Sequence, residues 1–88
     1  MIQQPSIDVT IAHIQPPNNP CGGYTVYMVE RGDGKYKVTL CQCNNKQHYN
    51  VERGAAIARK RSEEGKFFVM SKDEVVVLVS QLQEKFSA

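Results

Sequence analysis

The sequence predicts an α+β fold, in which a small antiparallel sheet is packed by two helices in the order β-β-β-α-β-α. Two alternating segments flank an aspartate-glycine turn at Arg31–Gly34, which is a strong hairpin signal. An alanine-rich segment has helical periodicity, and a second amphipathic segment follows Ser71. We place the hairpin, residues 24–43, at the centre of the sheet and expect both helices on one face of it.

Residues 6–14 predict the first strand because they alternate between two faces. One face carries Ile7, Val9, Ile11 and His13. Its apolar residues are β-branched, so we expect this face to be buried. Residues 1–5 are polar and end in proline, and we expect them to fray. Residues 15–23 predict a loop, since they contain three prolines and two glycines.

The hairpin strands follow from the same alternation. Residues 24–30 are apolar on both faces, which indicates a central strand. Residues 35–43 form the return strand, with Tyr36, Val38 and Leu40 directed inward. Residues 44–49 are polar and predict a loop.

The first helix is predicted from Val51 to Glu64, with Asn50 as its N-cap and Gly65 as its stop. Its inward stripe would contain Val51, Gly54, Ala55 and Ala58, with Ile57 at the edge. Glycine inside a helix costs ~1 kcal/mol relative to alanine. We therefore expect close packing of the helix on the sheet at Gly54.

Residues 66–70 predict a short last strand, and Ser71 and Glu74 match a capping box that begins the second helix. This helix is expected to run to about residue 86. Its apolar stripe would be Val75, Leu78, Val79, Leu82 and Phe86. The three consecutive valines at 75–77 favour a strand instead, but the capping box and the amphipathic tail favour a helix.

Length and composition narrow the function classes. The 88 residues predict a single domain, and the net charge of +2 excludes a strongly basic nucleic-acid arm and an acidic nucleic-acid mimic. The polar first residues do not match a signal peptide and no apolar run approaches the length of a membrane span, so we expect neither. An odd number of cysteines, three, predicts reduced thiols and a cytoplasmic location.

A metal site and a catalytic site both lack a matching motif. The candidate metal ligands are Cys21, Cys41, Cys43 and His48, but they lack the paired spacing typical of zinc sites. Cys43 and His48 are a conceivable nucleophile and base, yet no third group orients them. We expect no metal, no cofactor and no catalytic residue, and hence a non-enzymatic protein.

Basic residues are the better candidates for a site. Three lie at the hairpin and three on the first helix: Arg31, Lys35, Lys37, Arg53, Arg59 and Lys60. Interface rims favour charged contacts and hot spots favour tyrosine, which predicts that these six basic residues bind a larger protein or ribonucleoprotein. Four tyrosines are interleaved with them, at positions 24, 27, 36 and 49. The alternative is therefore a small module that binds single-stranded nucleic acid by phosphate contacts and base stacking.

Several short motifs follow one another in a characteristic order: Gly23-Tyr24, Val29-Glu30-Arg31, Asp33-Gly34-Lys35, Ala55-Ala56 with Ala58, Phe68-Val69, Val75 and Gln81-Leu82. This order resembles that of small phage-encoded anti-CRISPR proteins, in particular inhibitors of type I-F surveillance complexes. The matching motifs cover most of residues 23–82. These inhibitors share no site motif, so the resemblance assigns no binding residue. It implies stoichiometric, non-enzymatic blocking of a CRISPR effector complex in the cytoplasm of a host cell.

Overall fold

A computed structural model describes residues 9–86 of the protein. Its centre is a four-stranded antiparallel sheet with the strand order β1-β2-β3-β4. The elements in chain order are β1 (Val9–Ile14), β2 (Cys21–Glu30), β3 (Lys35–His48), α1 (Val51–Glu63), β4 (Phe68–Ser71) and α2 (Lys72–Glu84). The predicted α+β class and element order are confirmed. The predicted fraying of residues 1–5 and the start of the first strand at residues 6–8 lie outside the described residues.

The central hairpin forms at the predicted turn. Gly32 and Gly34 have φ values of 90° and 79°, a region that glycine enters without steric cost. The backbone N–H of Arg31 donates to the carbonyl of Lys35 at 2.9 Å, and Asp33 accepts from the N–H of Lys35 at 3.1 Å. The turn therefore closes the ribbon through both backbone and side-chain hydrogen bonds.

Both strands of the hairpin are longer than predicted. The structure extends β2 back to Cys21 and β3 on to His48, where these two residues pair. Gly22 and Gly23 have φ values of 82° and 136° and lie at a register shift between the strands. A β-bulge places extra residues of one strand opposite the other, so the polar residues after Cys43 remain within the ribbon instead of forming a separate loop.

The two helices lie on opposite faces of the sheet, so the expectation that both cover one face was wrong. On one face, Val26 and Val38 pack with Val75 and Leu82 of α2. On the other, Tyr27 and Cys41 pack with Ala58 of α1. Because neighbouring residues of a strand point to opposite faces, β2 and β3 supply both clusters.

Helix α1 approaches the sheet closely at Gly54. A Cβ atom at this position would collide with the Thr25 hydroxyl, so only glycine allows the observed distance. Ala58, one turn further on, is fully buried. Val51 was predicted to face inward but is 46% exposed, since the close approach begins only at Gly54. The Asn50 side chain caps the helix at the Arg53 N–H, and Gly65 follows its end with φ 83°.

Helix α2 begins with the predicted capping box. The Glu74 N–H donates to Ser71 Oγ at 3.3 Å, and the Ser71 N–H donates to Glu74 Oε1 at 3.2 Å. Val75 and Leu82 are buried, whereas Val76 and Val77 are more than half exposed, as a helical stripe requires. Neither α1 nor α2, the helices found within residues 9–86, is long and apolar enough to cross a membrane.

Candidate functional site

One helix is too narrow to cover a four-stranded sheet. A helix with its side chains is about 10 Å wide, whereas four strands extend over about 14 Å between their outer axes. Helix α1 packs mainly over β2 and β3. On this side, the surface of β1 and the hairpin end of the sheet therefore stay uncovered.

We call this surface the open sheet face and define it by Val9, Ile11, Val29, Lys37, Phe67 and Val69. Val9 is 45%, Ile11 39% and Val69 44% exposed. The sequence predicted that the Val9 and Ile11 side of β1 would be buried, and this was wrong because α1 does not reach it. Instead, these residues line a shallow groove of about 640 Å³.

Positive charge lies within the open sheet face, because Lys37 pairs with Val29 on one side and with Val69 on the other. The Lys37 ammonium group lies over the Phe67 ring, 5.0 Å from its centroid. Lys35 is exposed and, two residues earlier on β3, shares this side of the sheet. At the α1 margin, Arg59 Nε and Glu63 Oε1 form an ion pair of 3.0 Å. The two lysines therefore supply the excess charge of this face.

The six basic residues predicted as a partner site do not form one cluster. Lys35, Lys37 and Arg59 lie around the open sheet face. Arg31 stays in the hairpin turn, 3.7 Å from Asp33, and Lys60 is exposed on α1. Arg53 lies on the side of α1 that faces β3. The structure thus places three of the six residues around the open sheet face and the other three apart from it.

The tyrosines do not form the predicted stacking surface. Tyr24 and Tyr27 are 9% and 8% exposed, and their rings belong to the two hydrophobic cores. Tyr36 packs against the α2 side of the sheet, away from Lys35 and Lys37. Tyr49 is held in a hydrogen-bond network. A sheet surface that combines lysines with free tyrosine rings is therefore not formed by the described residues.

A second concave surface, the helix groove, lies between α1 and β3 and has a volume of about 540 Å³. Its α1 wall contains Arg53, Ile57 and Arg61, which are four residues apart and share one helix face. Its other wall is formed by β3 and contains Cys41 to Asn44 and Lys46 to His48. Asn50, Gly54, Thr25 and Tyr49 complete the lining.

Tyr49 closes one end of the helix groove by joining three segments. Its hydroxyl donates to the Tyr24 carbonyl at 3.0 Å. It also bonds with Thr25 Oγ1 at 2.5 Å and His13 Nδ1 at 2.7 Å. A phenol has one proton, and a carbonyl cannot donate, so Thr25 and His13 are the donors when all three bonds form together. The Tyr49 ring lies against Gly23, where a Cβ atom would collide with it.

The environment of Tyr49 changes its acidity. Burial raises the pKa of the Tyr49 hydroxyl, the hydrogen bond with Thr25 lowers it, and the charges of Cys41 and Cys43 raise it, with a net shift upward. The neutral phenol is therefore favoured in the folded protein. A neutral phenol in this network acts as a structural link between strands.

The candidate metal ligands do not converge. Cys41 is buried under α1, while Cys43 Sγ lies 3.6–3.9 Å from the carbonyl oxygens of Asn44, Gln47 and His48. All three cysteines are free thiols. Among residues 9–86, three or more histidine, cysteine or acidic side chains never come together in a group that could hold a metal. The donor set therefore does not fit a tetrahedral zinc site.

Sequence reasoning missed the apolar part of the open sheet face, above all Phe67, Val69 and the exposed side of β1. One available signal was the length and composition of α1. Thirteen residues of a small-residue helix cover only a narrow strip of sheet, so alternating apolar residues on an outer strand stay exposed. No known family model, curated protein or solved structure matches this chain significantly.

Proposed function

We propose that this chain is a non-enzymatic binding protein that docks its open sheet face onto a larger protein or ribonucleoprotein. The supporting observation is a set of exposed apolar side chains, Val9, Ile11 and Val69, on the same face of the sheet as Lys35 and Lys37. Protein interfaces combine an apolar centre with a polar rim. The excess positive charge favours a partner surface with acidic residues around an apolar centre.

The resemblance of residues 23–82 to type I-F inhibitors gives this proposal a specific partner, a type I CRISPR effector complex in a host cytoplasm. Binding there would block the surface that target DNA or the recruited nuclease needs. Three of the six predicted residues lie within or beside the proposed contact: Lys35, Lys37 and Arg59.

A pull-down with an assembled type I-F effector complex tests this proposal. We expect the protein to bind the complex and to reduce target cleavage. Val9→Glu places a charge among the apolar side chains of the open sheet face and should weaken binding at least about tenfold, because the contact would bury an unpaired carboxylate. Val76→Glu is the matched control, because Val76 is also exposed, at 57%, but lies on α2 at the other face.

Two outcomes would contradict the proposal. Absence of binding and undiminished target cleavage would reject the CRISPR partner. Equal binding by both variants would reject the open sheet face as the contact. The nucleic-acid alternative is tested with a single-stranded oligonucleotide and the variant Lys35→Ala/Lys37→Ala. An unchanged oligonucleotide affinity in this variant would count against it.

A further inference from the structure

Strand β3 has a free edge beyond the end of β4. Strand β4 pairs only with Lys35–Val38, whereas β3 continues to His48. From Thr39 onward, no described strand pairs with β3 on that side. The Thr39 hydroxyl donates to the Lys66 carbonyl at 3.3 Å. Lys66 precedes β4, so the chain reaches this edge of β3 at Thr39 and covers it only from there back to Lys35.

The backbone of the free edge directs hydrogen-bonding groups away from β2. Arg61 Nη1 donates to the Leu40 carbonyl at 3.5 Å, so this carbonyl is directed away from β2. In an antiparallel pair, alternate residues direct both backbone groups to the same side, so Gln42 presents its N–H and carbonyl there as well. Unpaired groups of this kind favour the addition of another strand.

The helix groove includes this edge. Cys41 and Cys43 point to the α1 side and Gln42 points to the opposite side, yet all three line the groove. The groove therefore extends around the edge of β3 and is bounded by α1. A segment lying in it would contact the backbone of β3 and the side chains of α1 at once.

The charge of the helix groove is uncompensated. Lys46, Arg53 and Arg61 line it, and none of its described lining residues is acidic. None of these three cations forms an ion pair with a carboxylate of residues 9–86. Elsewhere on the same helix, Arg59 is paired with Glu63. The groove thus favours a negatively charged ligand.

We infer that the helix groove binds an extended acidic peptide segment, which adds to the free edge of β3 as a further strand. Arg53 and Arg61 are eight residues apart, or about 12 Å along the helix axis. Acidic residues four apart on an extended peptide are about 13 Å apart and point to the same side. A Glu-x-x-x-Glu segment can therefore pair one carboxylate with each guanidinium group.

A peptide fits these observations better than a nucleic acid does. Backbone donors and acceptors on the strand edge match the main chain of a peptide, which is the pattern of strand addition in peptide-binding domains. Base stacking uses large, free aromatic rings; the described lining contains no phenylalanine or tryptophan, and its one tyrosine, Tyr49, is held by His13, Thr25 and Tyr24.

The test uses a fluorescent heptapeptide, Thr-Glu-Thr-Val-Thr-Glu-Thr, and the full chain in a polarisation titration at low salt. We expect saturable binding that weakens as salt is added. Arg53→Glu and Arg61→Glu should each weaken it by about tenfold or more. Lys60→Glu makes the same charge change on the same helix but lies outside the groove, so it should change affinity by less than about twofold.

Methylated peptides test the strand pairing itself. Methyl groups on the backbone nitrogens of alternate residues leave the charge intact but remove every second donor. One of the two alternate sets should abolish binding, and the other should not. Equal binding of both sets, absence of peptide binding, or preference for an oligonucleotide of equal charge would overturn the inference. Val9→Glu should leave peptide binding unchanged, which separates this groove from the open sheet face.

Discussion

At the scale of single residues, Tyr49 makes the largest set of long-range polar contacts. Its hydroxyl bonds with groups of β1 and β2 although it follows β3 in the chain. Thr25, one of these partners, is fully buried. The sequence could not predict this network, because Tyr49 lies 24 residues from Thr25 and 36 from His13 and no local pattern links them.

Tyr49→Phe removes the hydroxyl and leaves the buried Thr25 without its partner. Such a group costs about 1–3 kcal/mol of unfolding free energy. We expect this loss at neutral pH in urea unfolding. Tyr36→Phe is the control, because Tyr36 is half-buried and its hydroxyl has no side-chain hydrogen-bond partner within residues 9–86. An equal effect of both substitutions would contradict the structural role of the network.

The raised pKa of Tyr49 predicts how this difference depends on pH. A group with a raised folded-state pKa contributes stability that is fully present below its unfolded pKa, about 10 for tyrosine, and is lost as pH rises through the folded value. The stability difference between the wild type and Tyr49→Phe should therefore shrink above about pH 10. Urea midpoints measured from pH 7 to 11 check this. A difference that stays constant would contradict it.

At the scale of elements, local sequence signals correctly predicted the turn and both helix N-caps. They did not predict the length of β3 or the placement of the helices, because these depend on contacts between elements. The aspartate-glycine turn and the Ser71–Glu74 box act through nearby backbone, so their chemistry is visible in sequence. The length of β3 depends on positive φ values at Gly22 and Gly23 of the neighbouring strand. Both faces of β2 are apolar, so either face can pack against a helix. The apolar stripe of a helix therefore does not indicate which side of the sheet the helix covers.

The capping box of α2 gives a prediction at this scale. Ser71→Ala removes the acceptor for the Glu74 N–H and should cost about 1 kcal/mol. This corresponds to a fall in Tm of about 4–8 °C for a domain of this size. Ser80→Ala, at an exposed position inside the same helix, should leave Tm unchanged or slightly raised, since alanine favours helices. A fall in Tm that is equal for both variants would show that the cap contributes nothing specific.

At the scale of the whole molecule, β2 and β3 connect the two hydrophobic clusters. Val26 and Val38 face α2, and Tyr27 and Cys41 of the same strands face α1. Unfolding of β2 and β3 would therefore disrupt both hydrophobic clusters at once. The same arrangement leaves parts of the sheet uncovered, because each helix covers only one strip of one face. The shared strands therefore provide stability, while the uncovered surfaces remain available for binding.

This coupling predicts a single cooperative unfolding transition. Leu82→Ala empties a buried position under α2 and should cost about 3 kcal/mol. Gly54→Ala forces a methyl group against Thr25 under α1, and strain of about 1–3 kcal/mol should exceed the ~1 kcal/mol gain in helix propensity. Although the substitutions lie on opposite faces, each should lower the urea midpoint of the whole domain. Circular dichroism and tyrosine fluorescence should report the same midpoint for each variant. Separate midpoints for the two signals would show that the faces unfold independently, because the shared strands would then persist after one helix is lost.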